Sequence, residues 1–165
     1  MAWKVWRALY SVQISRNLFH ILVIPISKCV PIRPNTNLSR FIDEKDVRAD
    51  DTVKPSGFKP QRKFPRELSM FRNNDLAESQ LWQIADRWVS FFSKKTYTRR
   101  ADLSVKSLKE SLHSHPHKIE SFPIPHYRHV NLLSDSFMAS DETKSAEKLH
   151  IRHILSSQSI LKKRI

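Results

Sequence analysis

Glycine is nearly absent from this 165-residue chain: Gly57 is the only one, where average usage of about 7% would supply roughly a dozen. Phosphate-cradling loops and dinucleotide fingerprints need several glycines at fixed spacing, so both are excluded. Cysteine is equally scarce. Cys29 stands alone, which excludes internal disulfides, cysteine-rich zinc sites and thioredoxin-like motifs and makes a reducing, cytoplasmic setting the expectation. A membrane-spanning run of ~18 apolar residues is missing as well. The apolar stretch Leu18 to Ile26 is interrupted by His20 and Pro25, and Ser27 and Lys28 before Cys29 do not make a small-x-small cleavage site.

Acids are also missing, from residues 1–34 altogether, where Lys4, Arg7, Arg16, Lys28 and Arg33 go unbalanced. With Trp3, Trp6, Phe19 and closing prolines at 25, 31 and 34, this segment reads as a basic, apolar leader, interfacial, targeting or outside the native domain. The whole chain carries a formal charge of +13, with 39% hydrophobic and 27% charged residues. That composition supports one small domain with a modest core. Residues 35–80 nearly balance, and the sharpest local excess follows: Arg87, Lys94, Lys95, Arg99 and Arg100 against Asp86 alone.

Residues 35–65 are polar and broken by Pro55, Pro60 and Pro65, which favours loops and short extended pieces. Arg66 to Arg72 alternates in strand fashion. Asp75 before Leu76, with Glu78 three positions on, predicts a helix start. Leu81, Ala85, Trp88 and Phe92 then recur at helical spacing, with Trp82 and Val89 beside them, predicting a helix from Leu76 to Ser93. Ala101 to Leu108 fits a strand or an extended entry into a helix. Ser121 to Pro125 reads as a proline-broken loop. His126 to Leu133 reads as a strand with His129 and Asn131 on one face and Arg128, Val130 and Leu132 on the other. Asp141 to Leu161 predicts a last helix, and Lys162, Lys163 and Arg164 a frayed basic tail. The expected fold is α+β: a small antiparallel sheet packed by two or more helices over residues 38–155, preceded by the leader 1–34 and followed by a basic tail, 156–165.

The ordered runs Leu38-Ser39-Arg40-Phe41-Ile42, Glu67-Leu68-Ser69-Met70-Phe71-Arg72, Leu81-Trp82, Arg100-Ala101-Asp102-Leu103 and Arg128-His129-Val130-Asn131-Leu132 resemble a group of small bacterial proteins to which we attach no activity. Their shared pattern runs LSRFI, ELSxFR, W, RADL, RHVN. The chain departs from it after Asn131, where Leu132-Leu133-Ser134-Asp135 replaces a Gly-Trp-Pro turn. The resemblance implies boundaries near residue 38 and candidate residues, but no reaction.

Three functions are open on the residues. The leading one is a non-enzymatic basic accessory protein that binds nucleic acid or another anionic partner through Arg87, Lys94, Lys95, Arg99 and Arg100, with Phe91, Phe92 and Tyr97 interleaved as stacking rings. The bland reading of the same cations is that they complement the carbonyl end of a helix. The second is a small hydrolase-like or nuclease-like enzyme centred on His129, with Asp102 orienting the imidazole, Arg128 or Arg100 holding an anion, and Asn131 assisting. It requires those side chains to converge, and its alternative is a structural polar pair beside the sheet. The third is a protein-binding component of a larger assembly, anchored by Trp82, Trp88 or the leader aromatics. No cofactor is expected. His113-Ser-His115-Pro-His117 has alternating imidazoles that could face one metal, but no acid or cysteine completes the set, so it reads as a solvated loop rather than a site.

Overall fold

The computed structural model describes residues 32–60, 67–121, 126, 128–138 and 144–165. Six strands form one antiparallel sheet: β1 (Asn37–Ile42), β2 (Leu68–Arg72), β3 (Arg99–Ser104), β4 (His117–Ser121), β5 (His129–Ser134) and β6 (Ile160–Lys163), in the order β4-β5-β2-β1-β3-β6. With helices on both faces, the fold is α+β. The leader lies outside the described residues except for 32–34. So do the loop 122–125, Arg66 at the expected strand start, and Ser140, Asp141 and Glu142 at the expected start of the last helix.

Alternation along the four inner strands sorts the side chains. Leu38 and Ile42, Leu68 and Met70, Ala101 and Leu103, Val130 and Leu132 share one face and pack with Phe58, Leu108, Leu112, Phe137, Ile151 and Leu155. These come from the 3-10 turn Pro55–Phe58 and from helices Val105–Ser111, Asp135–Met138 and Ser145–Gln158. Phe58 and Phe137 are fully enclosed, each contributing about 2–3 kcal/mol of burial. The other face carries Phe41 and Phe71, over which residues 78–93 lay Trp82, Ile84 and Ala85. The single glycine has a steric reason. A Cβ on Gly57 would stand 3.1 Å from Val53 Cγ1 and 3.3 Å from Ile42 Cδ1.

Several local expectations change. Asp75 does not cap the helix: it takes φ 60° in a turn, the helix begins at Glu78, and Gln80 Oε1 accepts the Ala77 N–H at 2.9 Å. Residues 78–93 are helical but not uniform, since Ala85–Val89 is a π segment between α-helical Glu78–Ile84 and Ser90–Ser93. Ala101 to Leu108 is both alternatives at once, β3 running straight into helix Val105–Ser111. The proline-rich 35–65 stretch contains β1, a central strand. The terminal basic residues are not a frayed tail either: β6 pairs with β3 from Arg99–Lys163 to Asp102–Ile160. Lys162 and Lys163 blunt the sheet edge they form. Beyond them Arg164 grips Asp86 through both terminal nitrogens, each at 2.8 Å, and lies 5.5 Å from the Trp82 ring.

Between β1 and β2 the ladder holds only Leu38–Arg72 and Ser39–Phe71 in register. Past that point the Arg40 guanidinium replaces main-chain donors. It gives hydrogen bonds to Ser69 O at 2.8 Å, Gly57 O at 2.7 Å and Lys59 O at 3.0 Å. Burial pushes its pKa down to about 10, still well above neutrality.

Candidate functional site

One open cleft of about 190 Å³ lies between the helical segment and the approach to β5, lined by Leu76, Gln80, Gln83, Ile84, Arg87, Trp88, His126 and Arg128. Gln80, Gln83 and Arg87 recur at helical spacing, which turns one polar stripe toward it. Arg87 and Trp88 both belong to the π segment, a local widening of the helix that often accompanies functional surfaces. The opposite wall is built by a turn: His126 O accepts the His129 N–H at 2.8 Å and His126 Nδ1 accepts the Arg128 N–H at 3.2 Å. Arg128 Nη1 donates to Asn74 O at 2.8 Å, which fixes one edge of its guanidinium. The His126 ring meets Trp88 edge-on at 5.7 Å and Phe71 at 6.3 Å. No carboxylate stands among the described lining residues.

Burial first, and then electrostatic repulsion from Arg128, His129 and Arg72, push the His126 pKa down to about 4. The imidazole is therefore neutral at pH 7, and the accepted Arg128 N–H requires an unprotonated Nδ1. An unfolded chain would protonate it near 6.5, so unfolding takes up a proton in between and stability falls as pH falls through that window. We expect a loss of about 2 kcal/mol between pH 6.5 and 5, read from urea midpoints. A His126→Phe chain should be flat there. An unchanged slope in the variant would refute the assignment. The carboxylates held low by Arg or Lys partners, among them Glu78, Asp86 and Asp43, lose their contribution only below about pH 4.5.

The basic cluster expected after the helix is not one free surface. Arg100 is 4% exposed and bonded to Asp102 and Glu78. Arg99 is 3.2 Å from Glu44, and Lys95 is 2.5 Å from Asp43. Lys94 takes a left-handed φ of 58° at the helix end, with its ammonium 4.8 Å from the Phe91 ring centre. Of the five cations, Arg87 and Lys94 are exposed and make no ion pair among the described residues.

Nor do the proposed enzymatic residues converge. The pairs His129–Phe71, Phe71–Ser39 and Ser39–Asp102 place His129 and Asp102 on the same row, three strand spacings apart, or roughly 14 Å. Asp102 cannot orient that imidazole. It instead accepts Ser39 Oγ at 2.5 Å and a two-pronged pair from Arg100 at 3.0 Å. Asn73 Nδ2 joins the cluster through Ser39 Oγ at 2.8 Å. Burial opposes the Arg100 charge, but Asp102 and Glu78 outweigh it and hold the guanidinium more firmly protonated. His129 is buried against Phe71 at 5.4 Å. Asn131 donates to Glu67 at 2.6 Å, while its buried Oδ1 accepts no hydrogen bond from the described residues. Arg128 alone of the four lines the cleft.

Trp82 is 4% exposed, under Arg100 and Arg164, so it is a core residue and not a partner anchor. Trp88 is half-buried at the cleft, and the two indoles thus divide as their six-residue spacing suggests. The histidine run turns three ways: His113 Nδ1 faces Glu110 O, His117 Nδ1 faces His115 O, and His115 Nδ1 lies 3.3 Å from Glu147. Among the described residues no three His, Cys, Asp or Glu side chains gather to hold a metal, and no helix is long and apolar enough to cross a membrane. Gln80, Gln83 and His126 escape sequence reasoning. The helical spacing of the glutamines with Arg87 is the one signal that could have found them. No protein-family model, curated protein or solved structure matches the chain.

Proposed function

We propose that the protein is a non-enzymatic binder of an anionic partner, nucleic acid first among them, and that the cleft of Arg87, Arg128, Gln80, Gln83 and Trp88 is its contact. One observation carries this reading: Arg87 is exposed, makes no ion pair among the described residues and stands in a concave wall that no described carboxylate lines, whereas Lys95, Arg99, Arg100 and Arg164 are each spent on an acid. Arginine suits the task because its planar fork matches phosphate oxygens. The formal charge of +13 adds long-range attraction without specificity.

Fluorescence anisotropy of the full chain with labelled DNA and RNA oligonucleotides over a salt series tests this. Affinity should fall steeply with salt. Arg87→Ala should weaken binding about tenfold, the value of one charge-assisted contact. Arg99→Gln, at a cation already paired with Glu44, should change it less than twofold. Salt-insensitive binding, or equal losses in both variants, would sink the reading.

A further inference from the structure

Resting on that reading, we infer that the cleft takes a single unpaired nucleotide of a single strand, with its base against the Trp88 indole and its phosphate on Arg87. Size is the first argument. At about 190 Å³ the cleft is smaller than the roughly 300–1,000 Å³ of sites that enclose a whole ligand, so it receives one group of a longer molecule. The composition of its wall is the second. An indole half-buried at the rim and buttressed edge-on by His126 offers a flat apolar surface, and base stacking uses such a surface without regard to sequence. A duplex keeps its bases stacked on each other and cannot present one to Trp88. The third is the pair of carboxamides. Gln80 Oε1 is engaged by the Ala77 N–H, but its amide nitrogen and the exposed Gln83 can meet the polar edge of a base. A compact anion would use Arg87 and leave the indole idle.

The test compares three probes on the full chain at fixed salt: a labelled 12-mer single strand, the same strand carrying abasic sites throughout, and its duplex. The single strand should bind at least tenfold tighter than the abasic strand, whose charge is equal, and tighter than the duplex. Trp88→Leu should remove that preference by lowering the affinity for the normal single strand toward that of the abasic strand. Should Trp88→Leu fail to fold by circular dichroism, the abasic comparison on the unaltered chain decides alone. Equal binding of normal and abasic strands, or a preference for duplex, overturns the inference while anion binding stands. Absence of salt-dependent binding to all three probes overturns the function on which it rests.

Discussion

Replacing Arg40 with methionine is expected to cost about 3 kcal/mol of folding stability, because the change takes the donor away from part-buried main-chain carbonyls. Methionine matches much of the arginine stem, so the loss isolates the guanidinium and not the packing. Three acceptors depend on it: Ser69 O within the sheet, and Gly57 O and Lys59 O in the segment that delivers Phe58 to the core. Lys59 O is exposed and water can replace its partner, so the effect comes from the other two. Arg40→Lys should recover less than half, since one ammonium cannot span carbonyls arranged around a planar fork. Urea midpoints for the three chains measure this, and a loss below about 1 kcal/mol for Arg40→Met would show that the ladder repairs itself.

The largest expected effect is at Arg100. Its guanidinium joins Glu78 on the helix to Asp102 on β3 while lying 5.6 Å from the Trp82 ring. Arg100→Met should destabilise by about 3–5 kcal/mol, because Asp102 loses its two-pronged partner in a site where Ser39 and a little solvent are what remain to answer it. The companion measurement separates stranded charge from lost packing. Asp102→Asn introduced into Arg100→Met should restore at least half of the loss, so the two changes are strongly non-additive. Additive losses would mean that the pair contributes through shape and not charge.

How far the sequence announces this molecule depends on whether a signal is local. Helix 78–93 was legible because Leu81, Ala85 and Trp88 repeat within one element, and β2 and β5 because their alternation is short and clean. β1 was hidden among prolines, with charged Arg40 at a core-facing position where alternation calls for an apolar side chain. β6 was hidden because Ile160 and Leu161 continue a helical pattern and lysines follow. The basic cluster was misjudged for a different reason. Counting charge along the chain found Lys95 and Arg99 but not Asp43 and Glu44, which reach them from more than fifty residues away. The cleft failed the same test, since Gln80 and Arg87 meet His126 and Arg128 only through the sheet.

The order of the strands also governs how the molecule comes to exist. β1 sits at the middle of the sheet, yet its six-pair neighbour, β3, begins 57 residues after β1 ends, and β2 finds β5 across a similar span. Each central pairing must close a long loop before any contact repays the entropy. Only β4 and β5 follow one another closely in sequence, and their pairing joins an edge strand to the sheet. Such a chain has no central hairpin to nucleate on, which puts its folding toward the slow, milliseconds-to-seconds end of single-domain behaviour.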